Sequence, residues 1–174
     1  MIEAIVYTSN TGYAAEYARM LGEKTGLPVY SYAQAKRELS RGIEIIYFGW
    51  LMAGRIMGYR SALKRFEIPM PCGVGIGDTY TQIPKVRKAN GMNSIEPVFL
   101  LQGGYDKTKL HGIYKLIMAV LSPFLIANLS KRPKRRAEEE AMLDMLRHGG
   151  SRVCDQNLAV IFEWYRMDLE SEIK

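Results

Sequence analysis

Cysteine and histidine are both scarce in this chain. Two cysteines, Cys72 and Cys154, in 174 residues make no disulfide framework, and we read them as small buried apolar groups in a protein of the reducing cytoplasm. The only histidines, His111 and His148, stand far apart and have no cysteine or carboxylate at ligand spacing. No metal site is expected. His148, just before Gly149-Gly150, reads as the end of a helix. There is no Ser-His-Asp or Cys-His arrangement and no Gly-x-Ser-x-Gly, so nucleophilic hydrolysis has no carrier here. A basic-then-apolar leader is also missing, because Ile2–Tyr7 reads as a strand. Internal repeats and low-complexity tracts are absent.

What is present describes one domain, large enough to bury roughly 70% of its unfolded surface. Its hydrophobic share of 48% is ordinary. The net charge of +6 and a pI near 9.3 favour an anionic partner such as phospholipid, acidic protein or nucleic acid, or describe a modestly basic soluble protein.

The first sixteen residues carry the most information. An apolar run, Met1–Tyr7, becomes the turn Thr8-Ser9-Asn10-Thr11-Gly12-Tyr13, which opens directly into a helix. The first amides of a helix lack internal partners and sit at the positive end of its dipole. Hydroxyls on Thr8, Ser9 and Thr11 can donate to phosphate oxygens, and Gly12 lets the backbone approach. An ordinary βα turn capped by Ser9 or Asn10 is the plainer alternative.

Strand-like and helix-like segments then alternate. The pattern predicts strands at Ile2–Tyr7, Pro28–Tyr30, Ile43–Phe48, Cys72–Ile76 and Pro97–Leu101. It predicts helices at Ala14–Lys24, Ala33–Ser40 and Ile56–Phe66, and a short helix or irregular piece at Ile83–Asn90, with a loop at Gly49–Gly54. Apolar strands without clean alternation fit a parallel sheet covered on both faces. The expected fold is a doubly wound α/β domain of five parallel strands, and its ligands belong beyond the strand C-termini. From Lys109 onward only helical patterns appear: Leu110 to about Leu129, interrupted at Pro123, then Arg135–Arg147 and Asn157–Leu169. The first of these is expected to cover the sheet, and the others to extend past the minimal fold.

Three loops carry a family resemblance. Thr8–Tyr13 is similar to the flavodoxin phosphate loop, Ser/Thr-x-Thr-Gly before the first helix. Gly75-Ile-Gly77-Asp78-Thr79-Tyr80 resembles the flavodoxin loop whose tyrosine stacks on the flavin. Trp50-Leu51-Met52-Ala53-Gly54 lies where flavodoxins place the other side of the flavin site. The resemblance covers about residues 1–108. It implies a flavodoxin-like sheet of order 2-1-3-4-5 and non-covalent flavin mononucleotide (FMN). Thr8, Ser9, Asn10, Thr11, Gly12 and Tyr13 would hold the phosphate. Trp50, Leu51, Met52, Ala53, Gly54, Gly77, Asp78, Thr79 and Tyr80 would flank the ring. The chain departs from the pattern in three places. Ala14 replaces a further Thr, the third loop is one residue shorter, and Trp50 comes earlier than the flavodoxin tryptophan.

Phe99-Leu-Leu-Gln-Gly-Gly-Tyr-Asp106, followed by Lys109-Leu and an apolar helix with Met118, resembles flavodoxin-domain proteins of the protoporphyrinogen oxidase type. These are menaquinone-linked and membrane-associated. The resemblance implies an FMN-dependent electron-transfer protein or oxidoreductase, with a redox protein, a quinone or a small molecule as partner. A protoporphyrinogen oxidase-like dehydrogenase and a flavin-free domain acting through its C-terminal helices are the alternatives. Arg55 beside the second loop and the basic balance lead us to expect an easier second reduction of the flavin than in acidic flavodoxins.

Leu116–Ala127 is apolar except at Ser122 and Pro123, and Lys131-Arg-Pro-Lys-Arg-Arg136 follows. Length and the interruptions at Lys115 and Pro123 argue against a membrane span. Leu110–Arg136 is expected either to touch the inner face of an anionic membrane weakly and peripherally, or to be a sheet-covering helix with a solvated loop partly balanced by Glu138–Glu140. The basic cluster lacks interleaved aromatic residues, so no nucleic-acid role is expected.

Overall fold

A computed structural model describes residues 1–77, 79 and 81–172. The chain runs β1 (Ile2–Thr8), α1 (Tyr13–Thr25), β2 (Val29–Ser31), α2 (Tyr32–Glu38), β3 (Glu44–Met52), β4 (Arg55–Ile56), α3 (Tyr59–Ala62), β5 (Glu67–Gly75), α4 (Ile83–Asn90) and β6 (Phe99–Gln102). It continues through β7 (Gly104–Tyr105), α5 (Ile113–Ser130), α6 (Ala137–His148), β8 (Gly150–Ser151), a 3-10 turn (Asp155–Leu158) and α7 (Ala159–Glu172). The central sheet has the order β2-β1-β3-β5-β6, parallel at every one of these pairings. Its five parallel strands are therefore in the flavodoxin-like 2-1-3-4-5 arrangement. Strand order reverses at β1, so the crevice at the carboxyl ends of β1 and β3 is the ligand-binding position of such sheets.

Each face of the sheet has its own core. On one, Ile5, Phe48, Met70 and Cys72 pack against Tyr17 and Leu21 of α1 and Ile161 and Tyr165 of α7. On the other, Val6, Tyr47 and Ile45 meet Ala35 of α2, Tyr59 of α3 and Val86 of α4. The alternation of Ile5 and Val6, and of Tyr47 and Phe48, between the two cores is the period-two signature of a strand buried on both sides.

Four expectations change. First, β3 continues to Met52 and turns back on itself as a hairpin, with Leu51 and Met52 paired to Ile56 and Arg55, where a loop was expected. The turn residues Ala53 and Gly54 have φ of 51° and 85°, the pair of positive values that a two-residue hairpin turn demands. Second, the helix expected over Ile56–Phe66 is only Tyr59–Ala62, because Ile56 is spent in the hairpin. Third, α7 takes the sheet-covering position assigned to the 110–129 helix. Fourth, Cys154 is exposed.

Residues 104–151 form an excursion from the edge of the sheet, stitched shut at its base. Gly104 and Tyr105 pair antiparallel with Ser151 and Gly150, and Arg152 N–H donates to Gly103 C=O at 2.8 Å. The fully buried Tyr17 hydroxyl closes the joint. It donates to Gln102 C=O (2.5 Å) and accepts from Asn157 Nδ2 (2.6 Å). The excursion has its own small core of Tyr105, Leu110, Leu129, Leu143, Met145 and Leu146. Helix α5 runs unbroken through Pro123, whose ring lies on an exposed face.

Buried Asn90 pins the hairpin. Its Oδ1 accepts from Ile56 N–H (3.0 Å), and its Nδ2 donates to Gly54 C=O (2.9 Å) and Val86 C=O (2.7 Å). Replacing it with Leu strands a buried N–H and a buried carbonyl. We predict that Asn90→Leu lowers stability by about 2–3 kcal/mol, read as a lower denaturant midpoint with an unchanged slope.

Candidate functional site

A cavity of about 90 Å³ opens at the carboxyl edge of the sheet. Loop 9–12 and the first residue of α1 form one side, with Asn10, Thr11 and Tyr13. The hairpin gives Trp50, Leu51 and Met52. The end of β5 gives Val74, Gly75 and Ile76, and the turn after β6 gives Gly103, Gly104 and Tyr105. Leu110 and Met118 from the excursion close it. The walls are apolar apart from the loop, and among the described residues no acidic side chain lines them.

The loop takes its shape from Gly12, whose φ of 96° belongs to the left-handed region, and whose N–H donates to Ser9 Oγ at 3.0 Å. Ser9 therefore caps the turn as an acceptor and keeps its own proton to donate. Glu16 N–H reaches Gly12 C=O at 2.9 Å, so the helical ladder starts at once. The amides before it are the unpartnered donors of a helix N-terminus.

Other predicted residues are engaged elsewhere. The Thr8 hydroxyl shares a 2.7 Å bond with the Tyr47 hydroxyl, which also donates to Met57 C=O at 3.0 Å. It faces the second core rather than the cavity. The side chain of Asn10 accepts from His111 N–H (3.2 Å) and donates to His111 C=O (3.4 Å), tying the loop to the approach of α5. Ala53 and Gly54 form the hairpin turn and do not line the cavity. Gly77 sits against the side chain of Gln82. Thr79 lines a separate groove beside β6 and α7. Asp78 and Tyr80 lie outside the described residues.

The Gly103-Gly104 pair has a packing reason. A Cβ on Gly104 would lie 2.5 Å from both Tyr13 Cζ and Gly150 C=O, and one on Gly103 would lie 2.7 Å from Val74 Cγ1. Tyr13 is thus seated on a glycine floor, with Lys109 Nζ 5.5 Å from its ring centre. Tyr105, at the far side, shares a buried 2.5 Å bond with Ser122. Trp50 meets Tyr114 edge-on, with ring centres 4.6 Å apart.

Sequence reasoning did not find Ala14, Val74 or Leu110 as lining residues, and the 103–105 turn and Met118 entered only through the family resemblance and not as site residues. The signal for the contribution of α5 was available as an inward stripe of Tyr114, Met118 and Ser122 at four-residue spacing. A helix apolar on all sides conceals such a stripe. Among the described residues, no group of three or more His, Cys, Asp or Glu side chains is placed to hold a metal.

No protein-family model, curated protein or solved structure matches the chain.

Tyr47 also makes stability sensitive to alkali. Burial raises its phenol well above the ordinary 10.0, against a smaller opposite effect of the Thr8 bond. Its contribution is complete below pH 10 and is lost as pH rises toward the folded value, because the unfolded phenol ionises first. Each such tyrosine steepens the loss by up to about 1.4 kcal/mol per pH unit. We predict that Tyr47→Phe flattens the fall of the denaturation midpoint above pH 10. Tyr13, Tyr17, Tyr59 and Tyr165, also raised by burial, add to the slope.

Proposed function

We propose that this chain binds FMN at the carboxyl edge of its sheet and works as a redox protein. It would carry electrons between a partner protein and a quinone or small molecule. The observation that supports this most is the convergence of an anion-binding loop with flat apolar walls. Ser9, Thr11 and the first amides of α1 suit a phosphate. Trp50, Met52, Tyr105 and Met118 suit the faces of a planar ring.

The donor set fits the group, whereas the space does not yet fit the whole ring. A cavity of about 90 Å³ falls below the ~300 Å³ at which small-molecule sites begin. Leu110, Met118 and the Trp50–Tyr114 contact occupy the difference, so accommodating the ring requires the first turns of α5 to yield. That same filling favours a second reading, a flavodoxin-like domain that keeps the architecture and binds no flavin.

When bound, FMN would supply one- or two-electron transfer. The chain would position it, exclude water and set the surrounding charge. The exposed Arg55 on β4 adds a positive charge to the hairpin side, while Lys109 beside Tyr13 is paired with Asp106 at 3.9 Å.

An absorbance spectrum of the purified protein with and without added FMN decides between the two readings. We expect flavin bands and micromolar or tighter affinity. Thr11→Phe and Gly12→Val are expected to weaken binding about a hundredfold, ~2.7 kcal/mol, with circular dichroism unchanged. Thr8→Val is expected to leave binding alone, because that hydroxyl serves Tyr47. A folded protein that ignores FMN supports the flavin-free domain. If flavin binds, we further expect its second reduction to be less negative than in acidic flavodoxins, measured by redox titration.

A further inference from the structure

Helix α5 is apolar around its circumference but is buried on one side only. Its 18 residues have a mean hydropathy of 1.6, and 11% of them are buried, so by length and composition it could cross a membrane. One stripe, Tyr114, Met118, Ser122, Leu125 and Leu129, faces the protein. The opposite stripe faces outward: Ile113, Leu116, Val120 and Phe124 are 66%, 71%, 74% and 64% exposed. These positions follow the i, i+3, i+7, i+11 spacing of one helical face.

Charge surrounds this face at both ends. Lys131, Arg132, Lys134, Arg135 and Arg136 follow α5. Glu139 and Glu140 neutralise Arg132 and Arg135, while Lys131 and Lys134 make no ion pair with described residues. Lys107 and Lys115 stand at the other end, also without one. They flank a groove of about 300 Å³ whose floor is Leu110, Met118, Ala119 and Pro123. Two ammonium groups over an apolar floor match an anionic headgroup with an acyl chain beneath it.

We propose that α5 lies in the plane of an anionic phospholipid surface. Its Ile113–Phe124 stripe sits among the acyl chains, and Lys107, Lys115, Lys131 and Lys134 sit at headgroup level. A spanning arrangement is disfavoured by what the inner stripe does. Ser122 is bonded to buried Tyr105, and Leu129 packs with Leu143 and Leu146 of α6. Inserting α5 end-on would tear out both contacts, whereas in-plane binding leaves them intact. The proposal stands on the outer face of α5 and not on the flavin reading. The two meet at Tyr105, Leu110 and Met118, which wall both the groove and the cavity.

Co-sedimentation of the full chain with preformed vesicles tests this. We expect binding to vesicles of mixed phosphatidylcholine and phosphatidylglycerol to be about tenfold or more tighter than to phosphatidylcholine alone, and to be released by alkaline carbonate. The triple variant Leu116→Glu, Val120→Glu, Phe124→Glu alters exposed positions only. It should lose binding to both vesicles and keep its circular dichroism spectrum. Lys107→Glu with Lys115→Glu should remove most of the phosphatidylglycerol preference. Equal sedimentation of wild type and triple variant would overturn the proposal. So would a carbonate-resistant protein, which would mean a span. So would a concentration-dependent dimer that the triple variant abolishes without any wild-type vesicle binding, which would mean that a second copy covers the face.

Discussion

The seating of Tyr13 on Gly103 and Gly104 is the contact on which the rest of the structure depends. Tyr13 is the first residue of α1, so its position sets the direction in which the unpartnered amides of that helix point. The glycine pair directly follows β6, where the chain leaves for 104–151, so the same contact sets where the excursion departs. A side chain on Gly104 would collide with Tyr13 and the Gly150 carbonyl, and one on Gly103 would collide with Val74 of β5. The turn before α1, the Tyr17 joint and the stitched base of the excursion would then all lose their register together.

This arrangement explains why so much of the first hundred residues was legible. Parallel strands buried on both faces read as apolar runs, and each core-facing alternation is local. The order of the strands follows from right-handed crossovers. The loop of Ser9, Thr11 and Gly12 was legible for the same reason: its hydroxyls, its glycine and the helix after it are neighbours in sequence. The hairpin at Ala53-Gly54 was not. Asn-Gly or Gly-Gly would have signalled the turn, whereas alanine at φ 51° is a strained choice whose compensation, the Asn90 amide, lies 36 residues from Gly54.

The misassignment of α5 and α7 has a different cause. Both helices are apolar, and periodicity says which face of a helix is buried only when another face is polar. In α7 the buried Ile161 and Tyr165 continue the line of Leu158 from the 3-10 turn, and charged Glu163 and Arg166 lie off that line, so its sequence carried a stripe that the extension assignment passed over. In α5, inner and outer stripes have the same chemistry. Only tertiary structure separates the side that meets Tyr105 and α6 from the side that meets nothing. Thr8 and Asn10 teach a related lesson. Their chemistry suits phosphate, but Tyr47 and His111 reach them from 39 and 101 residues away, and no local pattern foretells such a claim on a hydroxyl or an amide.

The outer stripe of α5 is therefore the largest local departure from the rule that large apolar groups find cover. Magnitudes indicate which force would dominate if that face meets lipid. Four side chains the size of Ile, Leu, Val and Phe release about 1.5–3 kcal/mol each when fully removed from water, so partial insertion still offers several kcal/mol. Four lysines near an anionic surface add about 1 kcal/mol each, and salt screens that contribution. Burial would supply the larger share of affinity, and charge would choose the surface and orient the approach. Because the inner stripe of the same helix holds Met118 against the cavity, whatever fixes the outer face also restrains the wall that must yield for a flat ring to be seated. Docking and occupancy of the cavity would in this way be two loads on one helix, coupled through Tyr105, Ser122 and Met118.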